Sequence, residues 1–476
     1  MEFISSLSNL MFWRRAPFAF RMGARVRWCL DKRPAILLAL LYMLVAMPLS
    51  LSFCVKTPML DVPDEANHLL RAIQVGQGGF FGVRYPGNFV GGQLPSSAIQ
   101  ATGFVDCYLF RPGIRITPAM LAPYRALRWR SPPQAAEFPN TAIYPPWFYV
   151  ASATAIDIGR TLDLPIMTSF RLSRFANAIT AVLIGALAIG LADTGAPILA
   201  VLLALPMTLF LFGSASQDSL MIASAALAAA ILTRQSLGAD SSWSGWIASG
   251  LLLGALGAAR APYILLSLLP ALFAWPRPDR IRGLAATALA FTVALLWLVC
   301  SVIPLSTPTK AGGGLVSGAQ MHWVLQHPIA AATVLFRSFA DEGGDMFQQF
   351  IGVLSWLDIR LPDKAYRACE WALSATLVTS VSWPKQLRPR HAAIVLLLLA
   401  VAAGTEMAIF LSWDAIGSDV ILGVQGRYFL PLSMFLCLIG RRPGIVAVEI
   451  GAVALIVIVF MGDVAALHAV ATRYPQ

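Results

Sequence analysis

The segment Pro63-Asp64-Glu65-Ala66-Asn67-His68-Leu69-Leu70-Arg71-Ala72 sets two carboxylates, an imidazole and a guanidinium close together in a short stretch. At ~100° per residue, a helix over this segment puts Asp64, His68 and Arg71 on one face, with Glu65 to the side. A carboxylate there could serve as a general base. An Asp and a His four residues apart could share a divalent cation, Mg or Mn. The plain structural alternative is a helix start, because Pro followed by acidic residues suits any helix N-terminus.

A second box, Gly423-Val424-Gln425-Gly426-Arg427-Tyr428-Phe429-Leu430-Pro431, offers a guanidinium whose planar fork matches a phosphate, with Gln425 and Tyr428 beside it. Its bland reading is an interfacial anchor of Arg and aromatic residues. Ser355-Trp356-Leu357-Asp358 supplies an indole that could stack on a sugar and a further carboxylate, and Ile143-Tyr144-Pro145-Pro146-Trp147 supplies an aromatic cluster. Both also suit a membrane-interface belt. Asp218 reads as a helix cap, whereas Arg260 sits inside an apolar run, where an ionisable residue is functional by default.

The elements that must position these residues are membrane helices. The chain has 476 residues, 58% hydrophobic and only 12% charged. A soluble domain carries about 25% charged residues, so lipid must solvate much of this surface. The net charge of +11 fits basic inner loops better than a nucleic-acid surface, for which no module is present. The six cysteines form no C-x-x-C pair and signal neither zinc nor a disulfide framework.

Hydropathy predicts an all-α polytopic bundle of about 11 spans, near 34–55, 141–159, 172–192, 196–213, 219–236, 245–275, 284–303, 366–381, 391–411, 426–440 and 444–461. A basic cytoplasmic segment, 1–33, precedes an uncleaved first span. The single transmembrane domain covers 34–461 and a short tail covers 462–476. Two long outer loops, about 56–140 and 304–365, carry the boxes, the second with an amphipathic surface helix from Pro328 to Phe339. Arg160, Arg171 and Arg174 mark an inner loop after the second span. The sixth run is too long for one untilted helix, and Arg260-Ala261-Pro262 is where it could break.

Together the boxes Pro63-Asp64-Glu65-x-x-His68-x-x-Arg71-Ala72, Tyr144-Pro145-Pro146, Trp356-Leu357-Asp358 with Leu361-Pro362, and Gln425-Gly426-Arg427-Tyr428-Phe429-x-Pro431 resemble a family of bacterial multi-spanning membrane proteins, a domain of unknown function. The resemblance covers about 35 to 460. The family often has Gly where Ser355 stands, a small-for-small change. More remotely, the family is similar to membrane glycosyltransferases of the GT-C architecture. That likeness implies a bacterial inner membrane, a cytoplasmic N-terminus and an acidic motif in the first outer loop. It also implies a polyprenyl-phosphate sugar donor and a cell-envelope glycan or glycolipid acceptor. It makes Asp64 or Glu65 the catalytic carboxylate. On this reading His68 would orient that carboxylate or help bind a metal, and Arg71, Tyr144, Trp356, Asp358, Gln425, Arg427 and Tyr428 would contact substrate. The alternatives are a transporter or flippase for an anionic lipid-linked intermediate, or a scaffold of an envelope-assembly complex.

Overall fold

The computed structural model describes residues 34–111, 114–237, 242–274, 279–306, 317–381 and 389–474. The basic 1–33 segment lies outside them. Five helices are long and apolar enough to cross a membrane: Pro34–Lys56, Ile166–Leu191, Arg280–Leu305, Pro389–Trp413 and Ile445–Arg473. A sixth candidate is the pair Pro206–Phe212 and Gln217–Gln235, bent by 118°. Trp243–Ala259, Ala261–Ala274 and Gly426–Ile439 are apolar but shorter. The expectation of about 11 spans is therefore corrected to five or six. Apolar composition does not distinguish a spanning helix from one broken inside the protein, and Pro206, Pro262 and Pro431 each fall where a helix stops or restarts.

The second expected span illustrates the point. Pro145-Pro146 leads into a short 3₁₀ turn, and only Val150–Thr161 is α-helical. Twelve residues rise about 18 Å, too little to cross. The chain then turns into Ile166–Leu191, whose Arg174 bonds the Thr57 carbonyl and the Glu65 carboxylate. Arg174 therefore sits at the same end of the bundle as Glu65, whereas the sequence reading put them on opposite faces.

Three further corrections follow. The first loop is not purely helical: Val83–Tyr85, Phe89–Pro95 and Pro133–Glu137 form an antiparallel sheet, with Gly91 opposite Glu137 and Val83 opposite Gly91. The amphipathic helix beginning at Pro328 runs on to Gly352. The expected tail is helical to Arg473, because the last span continues through a π-helical turn, Ile458–Asp463. The long sixth run does break at Arg260, whose extended backbone separates Trp243–Ala259 from Ala261–Leu268.

Candidate functional site

Glu65–Gly76 forms a helix because Leu69, Leu70, Ala72 and Ile73 bury one stripe while Glu65 occupies the first turn. Its N-cap is Asp64, in a left-handed conformation (φ 63°) and with no capping hydrogen bond from its side chain. Asp is the ordinary choice for that bond, and a non-glycine residue at positive φ is costly. The carboxylate is instead turned outward. Oδ1 accepts from Asn140 Nδ2 at 3.1 Å, and Oδ2 lies 3.2 Å from Arg427 Nη2. Asp64 keeps 35% of its side chain exposed, while Arg427 keeps 3%.

From Arg427 the charges continue in alternation. Its Nη1 lies 3.4 Å from Asp218 Oδ2, and Asp218 Oδ1 accepts from Arg260 Nη2 at 2.7 Å. Both guanidiniums face the Tyr428 ring, at 4.7 Å for Arg260 and 5.3 Å for Arg427. Gln425 Oε1 accepts from Arg427 Nε at 2.6 Å. Gly426 lets this box approach the Pro328–Gly352 helix: a Cβ there would lie 1.9 Å from the Met346 carbonyl oxygen.

Asp218 reaches the cluster through the bend between Phe212 and Gln217. A break at membrane depth leaves backbone groups that protein must satisfy. Asn177 Nδ2 donates to the carbonyls of Ser214 (2.9 Å) and Ser216 (3.3 Å), and the Ala215 N–H donates to Glu65 Oε1 at 3.0 Å. Glu65 is completely buried. It also accepts from the Leu60 N–H at 3.0 Å and forms an ion pair with Arg174, which is equally buried. All its acceptor capacity is used inside the fold, so of the two adjacent carboxylates Asp64 alone faces outward.

His68 shares hydrogen bonds with Tyr149 Oη (2.7 Å, Nδ1) and Ser216 Oγ (3.2 Å, Nε2), and stacks on Tyr144 at 6.1 Å. Burial lowers its pKa to about 4, against the pull of Asp218 and Asp64. The ring is thus neutral at ordinary pH and serves to join the helix to the bend. In the unfolded chain it titrates near 6.5, so between about 4 and 6.5 the unfolded state binds the extra proton. Stability contributed by this group is present above that window and lost as pH falls through it. Melting curves of the wild type and His68→Gln should therefore converge as pH is lowered from 7 to 5; a constant difference would contradict a neutral buried His68.

Arg71 is fully buried and donates to Gln74 Oε1 and to the carbonyls of Tyr144, Gly79 and Phe80. It clamps the first loop and has no donor directed at the cluster. The Ser355-Trp356-Leu357-Asp358 box meets a different residue. Ser355 Oγ donates to Asp61 at 2.9 Å, Trp356 packs on Phe110, and Asp358 lies 3.5 Å from Arg473. Asp61 also accepts from Tyr474 Oη at 2.8 Å, and burial pushes its carboxyl up to about 7. Among the described residues no three His, Cys, Asp or Glu side chains come close enough to share a metal ion. Both nitrogens of His68 are engaged by hydroxyls, so the Asp64–His68 cation pair has no free imidazole.

Beside the cluster lies a cavity of about 400 Å³. Arg260, Tyr144 and Tyr428 line it together with Ser306, Thr405 and Ser412, and Pro262, Leu298, Val302 and Ile409 are among its apolar walls. Asp218 and Arg174 are the residues that sequence reasoning undervalued, one as a cap and the other as a loop marker. Each signal was present as a lone charge adjoining an apolar run.

The chain matches, over residues 49–436, the model of the family described as "Predicted membrane protein (DUF2142)", and it belongs to that family. It is accordingly a multi-pass membrane protein. No curated protein and no solved structure matches it.

Proposed function

We propose that this protein transfers a sugar from a polyprenyl-phosphate donor to a glycan or glycolipid of the cell envelope, at the outer face of a bacterial inner membrane. The observation that carries this reading is the outward-turned Asp64 carboxylate, paired to a buried Arg427–Asp218–Arg260 chain beside a largely apolar cavity. A lipid-phosphate donor has the same two-part chemistry. Its isoprenoid chain suits the apolar walls, and its phosphate suits Arg260.

In the transfer, Asp64 takes the proton of the acceptor hydroxyl as that oxygen bonds to the anomeric carbon. The carbon–oxygen bond to phosphate breaks, and the electron pair leaves with the lipid phosphate. Arg260 and Arg427 offset the charge that develops on it. A neutral leaving group would gain little from two guanidiniums; a phosphate gains most. Arg71 and Glu65 hold the scaffold in this scheme, His68 positions the bend, and Tyr144, Gln425 and Tyr428 frame the arginines.

The test supplies purified protein with labelled polyprenyl-phosphate sugars and an envelope-glycolipid acceptor. Arg260→Gln should lower turnover by about 100-fold, the scale on which a group stabilising developing charge acts. Unchanged turnover in that variant would remove Arg260 from the mechanism.

Two observations favour a second reading, transport of an anionic lipid-linked intermediate: the helix bent by 118° between Phe212 and Gln217 and the break at Arg260. Discontinuous helices at a charged centre are a transporter device. Labelled lipid-linked sugar crossing a proteoliposome wall without covalent change would select that reading over glycosyl transfer.

A further inference from the structure

A second cavity, about 500 Å³, shares no lining residue with the Asp64–Arg427 cluster. It is bounded by the end of the first span at Val55, by Met59, Phe104 and Leu121 of the first loop, and by the opening turns of Ile166–Leu191. Its wall carries two guanidiniums, Arg125 and Arg171, and no carboxylate. Among the described residues neither arginine has an ion-pair partner, in contrast to Arg174, Arg260 and Arg427, each of which is matched to an acid. Arg171 is instead close enough to Arg125 and Arg174 to be repelled by both.

Two like charges lining one cavity give it a positive potential that favours an anion between them. Arg125 closes the Pro118–Arg125 helix, and Arg171 projects from the second turn of a spanning helix, so separate elements bring the two together. Val55, Met59, Phe104, Ile116, Leu121 and Met167 supply most of the apolar wall, which begins at the end of the first candidate span, where Arg and aromatic residues commonly meet lipid head groups. The shape and chemistry suit a molecule with a phosphate at one end and hydrocarbon at the other.

We infer that the Arg125–Arg171 cavity is a second binding site, for a phosphate-headed lipid. This inference is independent of whether the Asp64 cluster catalyses transfer, since it rests on different residues and a different cavity.

The experiment uses the full chain in detergent micelles and a photoactivatable phosphatidic acid carrying the reactive group near its head. Labelled peptides are mapped by mass spectrometry. Label is expected on the segments 55–59, 116–125 and 165–171. It should fall roughly tenfold or more in Arg125→Gln/Arg171→Gln, the scale of a lost charge-assisted hydrogen bond. Arg125→Lys/Arg171→Lys should retain most of it. Both arginines are exposed, so the fold should survive, and matching melting curves check this. Should the double Gln variant fail to fold, each single Gln variant should still show reduced label.

Competition separates the sources. Unlabelled phosphatidic acid displacing label when glycerol phosphate does not supports a lipid. Equal displacement by glycerol phosphate overturns the lipid assignment in favour of a soluble phosphate ester. Equal displacement by phosphatidylcholine, or label undiminished in the Gln variants, overturns the anion site altogether.

Discussion

Asp64→Asn should reduce sugar transfer by about 100- to 10,000-fold while leaving the protein folded, the range lost when a general base is removed. The substitution is well suited to separating chemistry from structure. Asp64 sits at φ 63°, and Asn is among the few residues that tolerate this conformation. An amide oxygen can accept from Asn140 as the carboxylate does, and Arg427 keeps Asp218 and Gln425 as partners. Asp64→Ala would be a poorer choice, because it combines loss of the carboxylate with backbone strain. The measurement is turnover on a labelled polyprenyl-phosphate sugar, alongside a melting curve in detergent. A fully active Asp64→Asn protein would end the assignment of this carboxylate as base.

Its neighbour should behave in the opposite way. Glu65→Gln is expected to destabilise the fold by about 3–5 kcal/mol, the loss seen when one partner of a buried ion pair is removed. Arg174 would remain charged in a fully buried position, with the Thr57 and Pro58 carbonyls and at most one neutral amide oxygen for partners. The Ala215 and Leu60 N–H groups would compete for a single amide oxygen. Because Ala215 lies in the bend that delivers Asp218, the damage should spread to the arginine chain. A double-mutant cycle with Arg174→Met, read as shifts in melting temperature, should show strong coupling, with the double variant less affected than the two single effects added. A Glu65→Gln protein that melts normally yet transfers no sugar would reverse the roles given to the two acids.

This contrast between adjacent carboxylates shows where sequence and structure divide. The PDE segment, the Arg427 box and the charge inside the sixth apolar run could be singled out from residue type and spacing, because charges beside long apolar runs are costly without a purpose. Membrane residence could be read from composition for the same reason. Hydropathy could not say which apolar segments cross, since a run broken by Pro206 or by Arg260-Ala261-Pro262 scores as well as a continuous one. The three-stranded sheet in the first loop escaped notice because its strands are short, the central one carries Gly91-Gly92, and its pairing joins Gly91 to Glu137 across a long intervening stretch.

What the sequence by itself determined was an apolar, multi-pass chain carrying a few charges in particular boxes, because solvation by lipid depends on composition and local pattern alone. Only the tertiary structure decided which charges meet. Asp64 and Arg427 lie at opposite ends of the matched region, and Glu65 finds Arg174 rather than the cluster beside its neighbour. Ion pairing falls off over a few ångströms, so the partner of a charge depends on how helices pack, which no local pattern encodes.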